Sequence, residues 1–180
     1  MSIVLQSSSG GSVTINEPTT ASNFTQTLPA ATGEIMVSGN MPAFSAYANN
    51  PSQSISATTY TKVTLSTEEF DTANCFSSSR FTPNVAGYYQ INGQVTLISG
   101  TTANRTTIFI YKNGVAYKVG VAVPFNGSNN IANSVSSLVY LNGTTDYVEL
   151  YVWSGAATTL TYQAELSDSC YMNGFLARTA

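Results

Sequence analysis

The sequence predicts an all-β protein, an antiparallel sandwich or jelly roll of about ten short strands. Alternation is the first sign of this fold, because from Tyr89 to Leu97 the odd positions are apolar except at Gly93, and the even positions are polar or amphipathic. That pattern is typical of a half-buried strand. Turn residues separate further short segments of the same kind, and no stretch has the apolar spacing of a helix.

The strand-like segments follow one another from about Met41 to the C-terminus. They read PAFSAY, TKVTL, EEFDTANCF, RFTPNVAGYYQINGQVTLI, RTTIFIYKNGVAYKVGVAV, SVSSLVYLNGTTDYVELYVW and CYMNGFLART. Two tight hairpins are expected, one turning at Asn113-Gly114 and one at Asn142-Gly143, since Asn-Gly supplies the positive φ angles of a primed turn.

Residues 1–40 have a different composition from the rest and are interpreted as a separate attachment segment, preceding a domain over residues 41–180. The segment carries two charges, Glu17 and Glu34, among many Ser, Thr, Gly and Ala residues. Its short alternating pieces are Val13 with Ile15, Phe24 with Leu28, and Ile35 with Val37. Three such strands bury too little apolar area to fold alone, so they need another copy of the chain or a larger surface.

Composition excludes several classes of partner. Charged residues make up 8% of the chain, about a third of the usual share, and the six basic residues are scattered, which argues against nucleic acid. No apolar run reaches the roughly 18 residues of a membrane span, and residues 1–11 lack the pattern of a secretory signal. We therefore expect a protein made in a cytoplasm, with a surface partly covered by neighbours.

The residue types for most catalytic chemistry are missing, so we expect no enzyme and no cofactor. The chain has no histidine, which excludes Ser-His-Asp and Cys-His nucleophile systems and argues against a zinc site. The densest acidic cluster is Glu68-Glu69-Asp71. An acid pair there for glycoside hydrolysis is the weaker hypothesis, and solvated charges at the entrance of a strand are the favoured one.

Seven residues in a fixed order resemble the signature of the complement-type globular head, the jelly roll shared with the tumour-necrosis-factor family. They are Asp71, Phe76, Phe81, Gly87, Tyr89, Gly174 and Phe175. The resemblance covers most of residues 41–180, although the gap from Phe76 to Phe81 is shorter than is usual in the family. It implies a compact homotrimer with both chain ends near one face, and it implies no reaction.

The strand that starts at Tyr147 supports self-association independently, because it is apolar on both faces. Val148, Leu150 and Val152 form one face. The other face carries Tyr147, Tyr151 and Trp153, interrupted by Glu149. Since rings of this kind are enriched in interface cores, we assign Tyr147, Tyr151 and Trp153, together with Tyr89, to the trimer interface or core. The alternative is that these rings are amphipathic surface residues, or are covered by a loop.

The resemblance leaves two features of the domain open. Cys75 and Cys170 lie in regions that approach each other in such a jelly roll, so they form either a disulfide or, as we favour, two buried thiols. Some family members bind calcium at the trimer, so calcium held by Glu68, Glu69 and Asp71, or by Asp146, remains open. Nothing resembles a dedicated calcium loop.

The leading functional hypothesis is a virion surface protein of a bacteriophage, assembled in the host cytoplasm. Residues 27–36, TLPAATGEIM, resemble a segment common in phage fibre and virion proteins, and no Gly-X-Y stalk is present. Residues 1–40 would anchor a capsid decoration protein, short head fibre or host-attachment knob to capsid or tail. Candidate loops for a host glycan contain Thr101, Asn104, Asn126 and Asn129. The alternative is a secreted complement-type recognition module that binds proteins or glycans.

Overall fold

A computed structural model describes residues 3–16, 41–49, 52–98, 103–125, 130–161 and 169–180, with isolated positions at 19, 23, 25, 27, 30, 37 and 39. The chain divides into two units, Met1–Ile35 and Met36–Ala180. The described residues contain fifteen strands and no α-helix. The prediction of an all-β fold is therefore confirmed, with more strands than expected.

The strands are numbered in chain order. They are β1 (Ile3–Gln6), β2 (Ser12–Ile15), β3 (Ala43–Tyr47), β4 (Ser52–Ile55), β5 (Thr61–Lys62), β6 (Thr67–Asp71), β7 (Phe76–Ser77), β8 (Arg80–Phe81), β9 (Ala86–Ile98), β10 (Ala103–Lys112), β11 (Val115–Phe125), β12 (Ile131–Asn142), β13 (Val148–Ser154), β14 (Thr158–Thr161) and β15 (Tyr171–Thr179).

The first unit contains a β-hairpin. Strands β1 and β2 pair antiparallel, with Ile3 opposite Ile15 and Leu5 opposite Val13. The turn between them closes where the amide of Ser7 donates to the carbonyl of Gly11 at 2.7 Å. The other expected pieces of this segment, around Phe24, Leu28 and Ile35, lie outside the described residues, and the role given to residues 1–40 stays a prediction.

The second unit is built from two antiparallel sheets. Sheet I has the order β11-β10-β13-β8-β7, and β5 also pairs with β13. Sheet II has the order β4-β14-β9-β15-β3-β6, and β12 also pairs with β9. Strand β9 is central to sheet II, since β12 pairs with it from Ala86 to Leu97 and β15 pairs with it from Gly87 to Gln94.

The core lies on one face of each sheet, as the alternation in β9 predicts. Tyr89, Ile91, Val95 and Leu97 are fully buried. Their burial places the even residues of β9 on the opposite face of sheet II, because successive side chains of a strand point to opposite sides. Each sheet therefore has a core face and an outer face, and the outer faces are where partners can bind.

Aromatic packing explains most of the family-like signature. The ring of Phe44 stacks on Phe76 and on Phe81, with centroids 5.1 and 4.2 Å apart, and Tyr89 meets Phe81 edge-on at 5.4 Å. The carboxylate of Asp71 accepts a hydrogen bond from the amide of Phe76 at 2.7 Å. This bond closes a turn, which accounts for the five-residue spacing between the two.

Two glycines of the signature let β15 lie close to β9. A Cβ atom at Gly87 would lie 2.5 Å from the carbonyl oxygen of Arg178, and one at Gly174 would lie 2.8 Å from that of Gln90. Both distances are shorter than Cβ contacts in proteins. The remaining signature residue, Phe175, is exposed on the outer face of sheet II.

The first predicted hairpin is confirmed and the second is wrong. Strands β10 and β11 join through Asn113 and Gly114, whose φ angles of 52° and 78° fit a primed turn. Strands β12 and β13 instead belong to different sheets. The side-chain oxygen of Asn142 accepts hydrogen bonds from the amides of Thr144, Thr145 and Asp146. These bonds satisfy the backbone that a partner strand would satisfy in a hairpin, so the chain crosses between the sheets.

The two cysteines are buried free thiols, so the disulfide alternative is wrong and the favoured interpretation is confirmed. The Cys170 sulfur accepts a hydrogen bond from the amide of Thr96 at 3.2 Å. Burial raises the pKa of both thiols, which keeps them protonated and unreactive at neutral pH.

The hydroxyl of Tyr89 gives a test of the core. It donates to the carbonyl of Val85 at 2.7 Å, and Tyr89→Phe removes only that bond. We expect the free energy of unfolding to fall by about 1 kcal/mol, because a buried carbonyl loses its donor. Urea denaturation measures the change. Tyr171→Phe is the control, since this Tyr is half-buried and its hydroxyl makes no such bond within the described part of the chain. An equal loss in both variants would contradict the assignment.

Candidate interaction surfaces

The outer face of sheet II carries an exposed apolar patch. Tyr88, Leu138, Tyr140 and Phe175 are each 38 to 51% exposed, and we call them the sheet II patch. The register places Tyr140 opposite Tyr88, with their ring centroids 5.4 Å apart, and places Leu138 and Phe175 on either side of Gln90. Large rings and a leucine gathered on one flat face are typical of a surface that meets a partner.

A row of amides and hydroxyls continues this face beyond the patch. Ser136, Asn92 and Asn173 lie directly opposite one another on β12, β9 and β15. The hydroxyl of Ser136 donates to the Asn92 side-chain oxygen at 2.8 Å, and the Asn92 amide donates to Asn173 at 3.0 Å. Because these groups already bond one another, a partner can cover them at a small desolvation cost.

The aromatic residues that the sequence assigns to a trimer interface lie elsewhere. Tyr147, Tyr151 and Trp153 are half-buried on the outer face of sheet I. The Arg80 guanidinium lies 3.8 Å from the centre of the Tyr147 ring, and Arg105 lies 4.7 Å from that of Trp153. Each of these two rings therefore has a cation of its own chain against one face.

A loop of the chain covers the centre of the same face. Tyr151 stacks on Tyr111 at 3.9 Å, and Tyr60, between β4 and β5, contacts the rings of Tyr111 and Phe109. Tyr60 thus packs on Phe109 and Tyr111 of this face, and the alternative of rings covered by a loop stays a prediction. Tyr89 is fully buried in the core of the protomer, so no partner can reach it. A subunit interface on Tyr147, Tyr151 and Trp153 stays a prediction.

Glu149 holds three strands together beneath these rings. Its side chain is only 3% exposed, and one carboxylate oxygen contacts the Lys62 ammonium at 2.7 Å and the Arg80 guanidinium at 2.9 Å. Lys62 comes from β5, Arg80 from β8 and Glu149 from β13. The only sequence sign of this bridge was the acidic residue that interrupts the aromatic face.

Three of the residues proposed for calcium, Glu69, Asp71 and Asp146, are bonded within the chain. The side-chain amide of Asn113 donates to the Asp146 carboxylate at 2.7 Å, and the Lys112 ammonium lies 2.9 Å from that carboxylate. The Asn113 bond, with the charge of Lys112, lowers the pKa of Asp146. Glu69 accepts a hydrogen bond from Ser45. In the described part of the chain, no three carboxylate or thiol side chains meet as a metal site would require, and calcium stays a prediction.

The candidate ligand loops remain untested. Thr101, Asn126 and Asn129 lie outside the described residues. Asn104 lies in β10, and its side chain is outside the described part as well. In the described ranges, no helix is long and apolar enough to cross a membrane.

Strand β11 presents a second apolar surface, which the sequence analysis missed. It is the edge strand of sheet I, and Val115, Tyr117, Val119 and Val121 are 44 to 68% exposed. An open groove of about 560 Å³ lies where β11 passes β12, lined by Val119, Val121, Ser134, Ser136, Asn92 and Tyr171 among others. The alternation of valines was visible in the sequence, but an edge position cannot be read from one strand.

The N-terminal hairpin has a third apolar surface. Ile3, Leu5, Val13 and Ile15 share one side of the β1–β2 hairpin and are 51 to 64% exposed, and we call them the hairpin face. Val4 and Thr14 pair on the other side. Covering the hairpin face would contribute roughly 1 kcal/mol per side chain. A hairpin of two four-residue strands is marginal in water without such cover.

The Glu149 bridge yields a test of its structural role. Glu149→Gln leaves Lys62 and Arg80 facing a buried neutral amide, and we expect a loss of about 2 kcal/mol of folding free energy, less than for a fully buried pair because both cations reach solvent. Thermal denaturation measures it. The control is Glu68→Gln, at an exposed carboxylate that has no ion pair among the described residues, and it should shift the midpoint very little. Equal shifts would contradict the bridge.

Comparison with solved structures identifies the fold, whereas comparison of sequences finds no match. No protein-family model matches the sequence, and no curated protein matches it significantly. Among solved structures, the globular domain of the zebrafish complement 1qA protein matches with a TM-score of 0.54 and 19% identity, over 77% of this chain and 98% of that one. Eiger TNF from S. frugiperda matches with a TM-score of 0.58 and 7% identity, over 78% and 93%.

Murine APRIL at pH 8.0 gives a third match of the same kind, with a TM-score of 0.56 and 10% identity, over 76% of this chain and 98% of that one. The matched share of this chain agrees with the size of the second unit. At these identities the likeness concerns the fold alone. The protein has the jelly-roll fold of complement-type and tumour-necrosis-factor-like globular domains.

Proposed function

We propose that the protein is a non-enzymatic head that associates with two further copies of itself through the outer face of sheet II. The observation that carries the proposal is the sheet II patch, where Tyr88, Leu138, Tyr140 and Phe175 are exposed together. The similarity to complement-type and tumour-necrosis-factor-like globular domains supports a recognition or display role for such a head. The chain also has no histidine to serve a hydrolytic triad.

The outer faces of the two sheets differ in how much apolar surface a partner could bury. On sheet I, Arg80, Arg105 and Tyr60 already lie against the aromatic rings. On sheet II, Arg178 and Lys112 also lie 5.6 Å from the rings of Tyr88 and Tyr140. Leu138 and Phe175 are half exposed there. Burial of such side chains contributes roughly 25 cal/mol per Å² of apolar surface. A partner therefore gains more on sheet II, and the threefold axis expected from the sequence is lined by these rings instead of Tyr147, Tyr151 and Trp153.

A closed ring of three copies requires each copy to offer two different surfaces. The exposed residues of β11 supply the second surface, since Val115, Val119 and Val121 form an apolar edge with no strand beyond it. The sheet II patch of one copy then meets the β11 edge of the next. A few cations border the two surfaces, Arg178 and Lys112 beside the sheet II patch and Lys118 on β11.

Substitution of Phe175 tests this arrangement. We expect Phe175→Gln to weaken self-association at least tenfold, because an interface ring is replaced by an amide that must be desolvated. Analytical ultracentrifugation over a concentration series measures the change. Tyr147→Gln, on the outer face of sheet I, is the matched control and should leave the mass unchanged. Dissociation of the Tyr147 variant with an intact Phe175 variant would move the interface to sheet I.

The finer part of the proposal is that this head is a virion surface protein. Residues 1–40 then attach it to a capsid or tail, and the head decorates the capsid, forms a short head fibre or serves as a host-attachment knob. The resemblance of residues 27–36 to phage virion segments supports this role. The charged share of 8% also suits a chain that is covered by neighbours.

Electron cryomicroscopy of particles from the organism that encodes the chain tests the virion role. We expect threefold density for the head at the particle surface, with residues 1–40 against a capsid or tail protein. Absence of the protein from purified particles would overturn the proposal. Recovery of the protein from the medium, cleaved from a precursor with a leader, would favour the secreted recognition module that binds proteins or glycans.

A further inference from the structure

The hairpin face presents an apolar surface that the described chain does not cover. Ile3, Leu5, Val13 and Ile15 are each more than half exposed, although they stand side by side. The opposite side of the hairpin pairs Val4 with Thr14 and Gln6 with Ser12. The hairpin is thus amphipathic, and its apolar side has the size and flatness of one wall of a small β-core.

The absence of charge around the hairpin face indicates which kind of partner it can bind. Residues 3–16 contain no Asp, Glu, Lys or Arg, so several identical hairpins can approach one another without repulsion. The hairpin face also has no cation or carboxylate that would select a charged partner. A flat, uncharged and wholly aliphatic surface is complementary to another of the same kind.

The head supplies the proximity that short hairpins need. The 28 positions from Ile15 to Ala43 span at most about 95 Å even if fully extended. Three copies joined through their heads therefore hold their hairpins at an effective concentration on the order of 0.1 mM or above. Free hairpins would have to meet from dilute solution, whereas these meet as parts of one assembly.

We propose that the hairpin faces of the associated copies pack against one another, forming a small β-core of Ile3, Leu5, Val13 and Ile15 at the N-terminal end of the assembly. This inference rests on the self-association proposed for the head. The attachment segment then acts as one unit built from three chains. Its outward side, with Val4, Gln6, Ser12 and Thr14, remains free for a further surface.

Hydrogen exchange of the full chain, read by mass spectrometry on peptides from residues 3–16, tests the proposal. At a concentration where ultracentrifugation finds the assembly, we expect the hairpin amides to exchange at least tenfold faster in Leu5→Asn than in the unaltered protein. Val4→Asn is the matched control, because it places the same amide on the opposite side of the hairpin, and it should keep the protection. Unchanged exchange in β9 verifies that the head is folded in both variants.

The variant Phe175→Gln separates the two proposals. If the hairpins are held together by the heads, separating the heads should also remove the hairpin protection. If the unaltered protein is assembled but its hairpin amides exchange as fast as those of Leu5→Asn, the proposed hairpin core is wrong and the proposed head interface is unaffected. Protection that persists in dissociated Phe175→Gln overturns it too, since the hairpin would then be covered without other copies. A monomeric unaltered protein overturns both proposals together.

Discussion

The rest of the head depends on one constraint, which is that β9 has one buried face and one outward face of side chains. Its odd side chains from Tyr89 to Leu97 fill the core, while β12 and β15 pair with it along most of its length. A slip of one residue in either pairing would turn every side chain to the other face. The glycines at 87 and 174 remove the side chains that would oppose this pairing. The same register that builds the core therefore also aligns Tyr88 with Tyr140 on the outer face.

Features that depend on the local residue pattern could be predicted from the sequence. The all-β class, the burial of β9, the Asn113-Gly114 turn and the buried thiols all follow from alternation, turn chemistry and composition. The second Asn-Gly failed because the turn type depends on where the next strand goes. Asn142 bonds three amides of its own loop, and that loop carries the chain from sheet II to sheet I. Nothing in the dipeptide distinguishes the two outcomes.

The candidate interface was harder to predict for a related reason. Aromatic residues on the outer face of a strand reveal that something covers them, but not whether the cover is another copy or the same chain. Tyr147 and Trp153 have Arg80 and Arg105 against their rings, residues that are 67 and 48 positions away in sequence. The sheet II patch was also hidden, since Tyr88, Leu138 and Phe175 come from three strands that only the fold brings together. Long-range pairing, and not composition, decides which rings remain exposed.

The exposed edge of β11 has a consequence for the life of a newly made chain. A strand with one unpaired edge and four exposed apolar side chains is a template for pairing with any similar strand, and Lys118 is the single charge along its length. A copy that has folded but has not yet met its partners is therefore exposed to aggregation. The proposed self-association and aggregation both speed up with concentration, so the yield of soluble protein depends on which contact forms first. Synthesis of neighbouring copies from one messenger would favour the correct outcome.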